Sequence, residues 1–266
     1  MSGSKGSWGR ALAEIQAAGT RAGRARLGAC SLEGTRLFER ALRSGAELRQ
    51  VLVGASVLAQ PGERERELLA ALAEAGVEHQ TLPDEVLAEA TGGRSLGGFL
   101  GLAALPEARA LADLLAREPK ALLLGAVGLD DPGNVGALVR TAHASGAAAL
   151  VAVGCTDAFH PRAVRTSMGS IFRLPVLEFS DLGEASKALL EPGVQRWGSV
   201  CEGGRSLPTL GPVDGPQAMF LGSEAFGLGA GEHQYFDELV SIPMPAGVDS
   251  LSVNAAAAVL LYGLPK

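Results

Sequence analysis

The sequence contains little cysteine, and the three cysteines that it has stand far apart. Cys30, Cys155 and Cys201 are odd in number and lack the short spacings typical of metal ligands. This pattern argues against a metal-binding cluster. We therefore expect a reduced, cytoplasmic chain that holds no metal.

Long apolar runs are also missing. No stretch of the 266 residues approaches the length of a membrane span, and the N-terminus lacks the apolar core of a signal peptide. We expect no membrane partner, and a flexible N-terminal segment over residues 1–25. Apolar residues still make up 47% of the chain, which excludes a disordered protein and suits one large or two modest domains.

An excess of basic residues is missing as well. The formal net charge is −6, whereas domains that bind nucleic acid are often basic. The arginines are nevertheless clustered, because Arg36, Arg40 and Arg43 recur at helical spacing. A solvated helix face explains that spacing as well as a phosphate-binding surface does.

Alternating patterns of helix and strand indicate a compact α/β unit over residues 26–105. Apolar residues at three- and four-residue steps predict helices over 31–46, 63–74 and 83–90. Strand patterns cover 48–53, 77–82 and 99–104. A short charged stretch flanked by prolines, residues 106–118, is expected to be a linker.

A second α/β unit is predicted over residues 119–266. It opens with a near-continuous apolar run, 120–127, which is typical of a strand covered on both faces of a parallel sheet. Further strands are predicted at 147–153, 175–179, 194–201, 218–221 and 239–244. Helices are predicted over 135–145, with Asn134 as its cap, and over 161–170 and 182–190.

The last part of the second unit has the pattern of a binding site. A strand ends in a glycine loop with one carboxylate, Glu224, and the next strand ends at Pro243 and Pro245. A helix is expected to open at Asp249 and Ser250. Loops at strand ends and exposed helix starts often hold ligands, although an ordinary β-loop-β-loop-α corner fits the pattern equally well.

Three ordered motifs in this unit carry a resemblance. They are Asn134-x-Gly136-x-x-x-Arg140-Thr141-Ala142, Leu221-Gly222-Ser223-Glu224-x-x-Gly227-Leu228, and Ile242-Pro243-Met244 with Ser250-Leu251. These motifs resemble those of the SpoU (TrmH-like) RNA 2′-O-ribose methyltransferases. The stretch Glu33-Gly34-x-Arg36-Leu37 in the first unit resembles the family's ribosomal-protein-like substrate-binding domain.

The resemblance implies an α/β fold in which a small RNA-binding domain precedes a knotted, parallel-sheet methyltransferase domain of the SPOUT type, with a trefoil knot. It also implies S-adenosylmethionine as cofactor, structured RNA as substrate, and a homodimer whose active site uses both subunits. Ribosomal RNA is favoured by the substrate-binding domain. The alternatives are a transfer-RNA 2′-O-methyltransferase and a non-catalytic RNA-binding module that keeps the cofactor pocket.

A Rossmann-type nucleotide-binding enzyme is a further alternative. It requires G-x-G-x-x-G directly after a strand, and residues 130–136 offer only Gly133 and Gly136.

The resemblance also implies roles for individual residues. The catalytic set comprises Asn134, Arg140, Glu224, Ser250 and Ser252. The cofactor-binding set comprises Gly222, Ser223, Gly227, Ile242, Met244 and Leu251. Candidates for RNA binding are the arginines of the first unit and of the helix between the first two motifs: Arg36, Arg40, Arg162 and Arg165.

Arg140 stays protonated, so it is not a general base; it can hold a phosphate or stabilise a developing alkoxide. His143, one turn later, has the chemistry of a base but no role in the motif. The aromatic residues Phe226, Trp197, Tyr235 and Tyr262 are expected to pack in the core rather than to stack on bases.

The chain departs from the family pattern in its third motif. The family usually continues Ser-Leu-Asn-Val-Ser, whereas here Ser250-Leu251 is followed by Ser252-Val253-Asn254. Residues two apart in a helix point about 200° from each other, so Asn254 does not simply replace the missing asparagine. We expect Ser252 to take the hydrogen-bonding role and Asn254 to matter less.

Overall fold

The computed structural model describes residues 8–94 and 97–265. The chain divides into two compact units, the first formed by residues 1–106 with 159–172 and the second by 107–158 with 173–266. No helix in the part of the chain that is described is long and apolar enough to cross a membrane. The boundaries expected at 26–105, 106–118 and 119–266 stay a prediction, and residues 159–172 are an addition to the first unit.

The first unit is built on a mixed sheet in the order β1-β4-β2-β3, in which β4 runs antiparallel to both of its neighbours. Its elements before residue 106 are α1 (Trp8–Ala17), α2 (Arg21–Leu27), β1 (Ala29–Glu33), α3 (Thr35–Arg43), β2 (Leu48–Gly54), α4 (Ala55–Ala59), α5 (Glu63–Glu74), β3 (Gln80–Leu82), α6 (Asp84–Ala90) and β4 (Phe99–Ala104).

The N-terminal segment differs from the expectation of flexibility over residues 1–25. Residues 1–7 lie outside the described part, but α1 and α2 follow at once. Ala11, Leu12 and Ile15 of α1 are buried against the sheet, beside Leu52 and Leu102. The apolar stripe of α1 covers one face of the sheet, and this burial holds the helix in place.

The predicted helix over 31–46 is wrong at its start. Ser31 to Glu33 belong to β1, which pairs with β4, and α3 begins only at Thr35. Gly34 stands between them with φ of 95°, a conformation that glycine adopts without strain. Leu32 therefore belongs to the strand, and Leu37, Phe38 and Ala41 form the buried stripe of α3.

Residues 159–172 contribute a helix to the first unit although they follow the second unit's first strands in the chain. The helix α9 (Pro161–Ser167) packs against β1, and its Arg165 Nη1 donates to Glu33 Oε2 at 3.0 Å. A short 3₁₀ turn, Ser170–Phe172, follows. Arg40 of α3 donates from Nη1 to the carbonyl of Met168 at 2.9 Å. Polar contacts thus tie the segment to β1 and α3.

The second unit contains a parallel sheet in the order β7-β6-β5-β10-β8-β11-β9. Its helices and strands in chain order are α7 (Leu111–Arg117), β5 (Leu122–Val127), α8 (Pro132–Ser145), β6 (Ala149–Val153), β7 (Val176–Phe179), α10 (Leu182–Leu190), β8 (Gln195–Ser199), β9 (Arg205–Ser206), β10 (Gln217–Leu221), β11 (Glu238–Ser241) and α11 (Val253–Gly263).

The order of this sheet decides where the loops meet. β10 is late in the chain, yet it lies between β5 and β8. Leu123, Ala218 and Phe220 are buried in a core that also includes Leu189 of α10 and Leu114 of α7. Because the strands are parallel, the loops that follow β5, β8, β10 and β11 leave the sheet at the same edge.

Two helices of this unit start at positions that differ from the predicted ones. α8 begins at Pro132, and its cap is Asp131, whose carboxylate accepts from the Gly133 N–H at 2.6 Å. The prediction that Asn134 caps this helix is wrong, since a proline in the first turn extends it towards the N-terminus. α11 begins at Val253 with Ser252 as its cap, later than the predicted opening at Asp249 and Ser250.

Candidate functional site

A cavity of about 460 Å³ opens in the second unit where β8, β10 and β11 end. All six residues predicted to bind a cofactor line it: Gly222, Ser223, Gly227, Ile242, Met244 and Leu251. Two of the predicted catalytic residues, Glu224 and Ser250, also line it. The predicted apolar residues Ile242, Met244 and Leu251 come from the loop that follows β11 and from the entry to α11. The predicted polar residues Ser223 and Glu224 come from the glycine loop that follows β10.

The glycine loop after β10 is closed on itself. The Gly227 N–H donates to the Ser223 carbonyl at 2.7 Å, and Gly227 has φ of 61°. A Cβ at Gly222 would lie 2.0 Å from the carbonyl carbon and oxygen of Gly227 and 2.4 Å from the nitrogen of Leu228. Backbone packs directly on backbone there, so the loop needs glycine at position 222.

A chain of hydrogen bonds connects this loop to both helices beside it. The Asn134 side chain, in the first turn of α8, donates from Nδ2 to Glu224 Oε2 at 2.7 Å. Asn254, in the first turn of α11, donates from Nδ2 to Asn134 Oδ1 at 3.4 Å. Residues from all three motif regions therefore meet here, in the order Glu224, Asn134, Asn254.

Ser252 does not take part in that chain. Its hydroxyl accepts from the Ala255 N–H at 3.4 Å and caps α11. Ser252 therefore makes a local hydrogen bond, as expected, but the side-chain contact with Asn134 comes from Asn254, which was expected to matter less. The physical reason is the late start of α11, which leaves residue 252 outside the helix and turns residue 254 towards α8.

Arg140 lies on α8 and is exposed. Its side chain makes no hydrogen bond or ion pair with any residue that the structure describes, and it is not among the residues lining the cavity. The structure therefore does not bring Arg140 together with Glu224 within one chain.

His143 is one turn beyond Arg140 on the same helix. Partial desolvation, together with the positive charge of Arg173, lowers the pKa of His143 below its usual value. A lowered pKa favours the neutral imidazole, which is the form that can accept a proton. It is not among the cavity-lining residues.

The aromatic residues divide into two groups. Trp197 is buried and Tyr235 packs against the core, as expected. The expectation of core packing is wrong for Phe226, which is 89% exposed at the tip of the glycine loop, and for Tyr262, which is 62% exposed. Tyr262 donates its hydroxyl to the Ala144 carbonyl at 2.9 Å, between α11 and α8. Phe226 also lines the cavity.

The four arginines predicted to bind RNA also divide into two groups. Arg40 and Arg165 are half-buried and bind Met168 and Glu33 within the first unit. Arg36 and Arg162 are exposed. The structure therefore gives one pair a place in the packing and leaves the other pair at the surface.

Sequence reasoning missed some of the cavity. Cys201, Glu202 and His233 line it, and none was predicted to belong to the site. The first two follow the carboxyl end of β8, so the position of that strand was a usable signal. His233 lies in a short 3₁₀ turn, Ala230–Tyr235, where no sequence pattern marks it.

Comparison with known proteins assigns this arrangement to a family. The model of the SpoU rRNA Methylase family matches residues 121–262, and the model for RNA 2′-O ribose methyltransferase substrate binding matches residues 31–108. The first match covers more than half of the chain. The protein belongs to the SpoU rRNA methylase family.

Individual relatives agree with that assignment. The chain is 29% identical over 234 residues to the 23S rRNA (guanosine(2553)-2′-O)-methyltransferase RlmP of Bacillus subtilis, covering 88% of this chain and 87% of that protein. Among solved structures it is similar to the SpoU methyltransferase AviRb from Streptomyces viridochromogenes in complex with the cofactor AdoMet, with 25% identity, a TM-score of 0.78 and 95% of both chains covered. An RNA 2′-O ribose methyltransferase structure also has a TM-score of 0.78, at 29% identity, covering 95% of this chain and 93% of that one.

Proposed function

We propose that the protein is an S-adenosylmethionine-dependent RNA 2′-O-ribose methyltransferase that acts on ribosomal RNA. The observation that carries the proposal is the cavity at the ends of β8, β10 and β11, with Glu224 on its wall and Asn134 bonded to that carboxylate. Family membership and the match to a substrate-binding domain support the choice of RNA, and the relative named above acts on 23S rRNA.

The residues present fit the cofactor. A cavity of about 460 Å³ is within the usual range for small-molecule sites, roughly 300 to 1,000 Å³. The glycine loop brings the backbone of Gly222 and Gly227, which carry no side chain, to the cavity wall, while Ile242, Met244 and Leu251 offer an apolar wall for a flat ring. We assign the cofactor to these side chains and to the backbone of Gly222, Ser223 and Gly227.

The cofactor, when bound, supplies an electrophilic methyl group. The protein then has to align the ribose hydroxyl, assist the loss of its proton and stabilise negative charge on its oxygen. We assign these tasks to the Glu224 carboxylate, because it lines the cavity and accepts a hydrogen bond from Asn134. Arg140 supplies positive charge for a phosphate or for the developing alkoxide. Ser250 lines the cavity at the entry to α11 and completes the proposed catalytic set, whereas the Ser252 hydroxyl caps that helix.

Arg140 acts in this proposal from a second copy of the chain. It lies on α8 outside the cavity lining, so a site within one chain lacks it. The neighbouring α11 exposes Val259 and Tyr262, an apolar surface that a second copy would cover. We therefore propose a homodimer with shared sites. We also propose the trefoil knot, which the insertion of β10 between the earlier strands β5 and β8 supports.

RNA binding is assigned to surface residues of two kinds. Arg36 and Arg162 are exposed and suit phosphate contacts. Phe226 is an exposed ring beside Glu224, and such a ring can stack on an unpaired base.

Cys30, Cys155 and Cys201 are all free thiols, which supports a cytoplasmic location.

The test is transfer of a radiolabelled methyl group from S-adenosylmethionine to purified RNA. We expect 23S rRNA to be labelled on a ribose 2′-oxygen, detected as an alkali-resistant dinucleotide. Labelling of transfer RNA alone would support the tRNA alternative. Binding of donor and RNA without any transfer would support the non-catalytic module, and labelled bases would contradict the proposed reaction.

A further inference from the structure

We propose that Asn254 is a positioning residue that holds Asn134, and through it Glu224, in the geometry needed for methyl transfer. The proposal rests on the proposed function. It concerns the place where this chain departs from the family's third motif, and it gives the displaced asparagine a task of its own.

The directions of the hydrogen bonds follow from the charge at one end. An ionised carboxylate only accepts hydrogen bonds, so Asn134 must present its amide nitrogen to Glu224. The Asn134 Oδ1 then accepts from the other side, where Asn254 Nδ2 lies at 3.4 Å. One carboxylate therefore fixes the orientation of two successive amide groups.

Burial indicates that Asn254 is kept at a cost to stability. Its Oδ1 is buried and finds no hydrogen-bond partner among the described residues. A buried acceptor without a partner destabilises the fold, and a small apolar residue at this position would remove that penalty. Residues that oppose stability in this way are concentrated at functional sites.

The positions of the helices explain why residue 254 reaches Asn134 and residue 252 does not. α11 packs against α8, and Val253 and Ala257 are buried on its inner side. Asn254 stands in the first turn, half-buried. Ser252 precedes the helix, is exposed, and uses its hydroxyl to cap it.

Asn254 does not line the cavity, so its effect on the reaction is separable from cofactor binding. Asn254→Ala should lower kcat about tenfold, because it frees the Asn134 amide and lets Glu224 move. The Kd for S-adenosylmethionine, measured by calorimetry, should stay within about twofold. Ser252→Ala is the matched control, since it removes the helix cap two residues away; it should lower the melting temperature and leave kcat nearly unchanged.

A double-mutant cycle distinguishes positioning from a general loss of stability. If Asn254 acts through Asn134, then Asn254→Ala should have little further effect on kcat in an Asn134→Ala background. Equal losses in both backgrounds would overturn the proposal. A double variant with Ser252→Asn and Asn254→Ser that keeps the kcat of the parent protein would also contradict it, since an asparagine at residue 254 would then be dispensable.

A readout that does not depend on activity uses the ¹⁵N-labelled protein alone. The Asn134 side-chain amide resonances should shift in Asn254→Ala and in Glu224→Gln, and remain in place in Ser252→Ala. Unchanged Asn134 signals in Asn254→Ala would overturn the proposed contact. If the parent protein transfers no methyl group, the proposed function fails, and this measurement still decides the contact.

Discussion

Two groups of charged residues, one around Glu33 in the first unit and one around Glu224 in the second, are used in opposite ways. In the first unit, Glu33 is only 12% exposed and binds both Arg94 and Arg165, which joins α9 to β1. In the second unit, Arg140 is exposed and pairs with no described residue, and Glu224 is exposed with Asn134 as its partner. The Glu33 group holds the fold, whereas Arg140 and Glu224 stay accessible at the surface.

This difference predicts which substitutions change the stability of the fold and which change the reaction. Replacing a side chain of the Glu33 cluster should alter the free energy of unfolding, whereas replacing one beside the cavity should alter the reaction. Buried ion pairs become costly when one partner is removed, while exposed groups are replaced with little effect on folding. Each of the following changes tests that separation.

The largest effect is expected for Arg140→Ala. Methyl transfer should fall about 100-fold or more, as when a group that stabilises transition-state charge is removed. The melting temperature should hardly change, because an exposed side chain without partners contributes about 0.5 kcal/mol or less to folding. Steady-state kinetics and thermal unfolding of the same preparation check both statements.

His143→Ala is the control for the Arg140 prediction, and it includes a pH profile. A neutral histidine accepts a proton only above its pKa, so a role as base would make the rate fall as the pH drops through that lowered pKa. We expect the same pH profile with and without His143. An active Arg140→Ala together with an inactive His143→Ala would move the chemistry to the histidine.

Gly222→Ala should have the next largest effect. Its Cβ would lie 2.0 Å from backbone atoms of Gly227, so the loop must open and the cavity wall must move. Affinity for S-adenosylmethionine should fall about tenfold or more, measured by calorimetry. Gly231→Ala is the matched control, because no described atom lies within 4 Å of a Cβ there. Equal loss in both variants would contradict the close-approach explanation.

Two arginines one turn apart on α3 give a finer test. Arg36→Ala should weaken binding of 23S rRNA and lower the slope of log affinity against log salt by roughly one, since each phosphate contact releases a counterion. Arg40→Ala removes the bond to the Met168 carbonyl, so it should mainly lower thermal stability. The reverse assignment would show that α3 presents its other face to RNA.

The smallest effect on methyl transfer is expected for Glu33→Ala, because this change acts on the stability of the fold. It should cost about 1 to 2 kcal/mol in the free energy of unfolding, because two arginines lose a largely buried partner. Glu47→Ala is the control: this carboxylate is 69% exposed and pairs with Arg49, so its loss should cost about 0.5 kcal/mol or less. Chemical denaturation measures both, and similar costs would remove the distinction between the two regions.

Much of the fold could be predicted because it depends on local patterns. The apolar run at β5, the alternation of helices and strands, and the loop after β10 are all visible in the sequence. The starts of α8 and α11 were misplaced, since Asp131 and Ser252 compete as caps with Asn134 and Ser250. For α8 the adjacent Pro132 is a local signal for the earlier start, whereas for α11 both candidate caps are serines and the residue type does not separate them.

The candidate site was predicted where backbone motifs form it and missed where side chains meet across elements. The six cofactor candidates line one cavity because they come from adjacent loops of a parallel sheet. The contact between Asn254 and Asn134 joins residues far apart in sequence, and it depends on a helix start shifted by a few positions. The pattern of apolar residues along the sequence does not predict such a contact.

The segment 159–172 has a consequence for how this protein can be divided. The chain passes between the units after residues 106, 158 and 172, so a cut within 106–118 does not separate them. A fragment that starts after such a cut keeps Ala163, Val164 and Ile171, apolar side chains that are buried in the intact protein, while α9 loses β1. Exchange of the first unit between relatives, by recombination or by design, therefore needs two matched segments, residues 1–106 and 159–172.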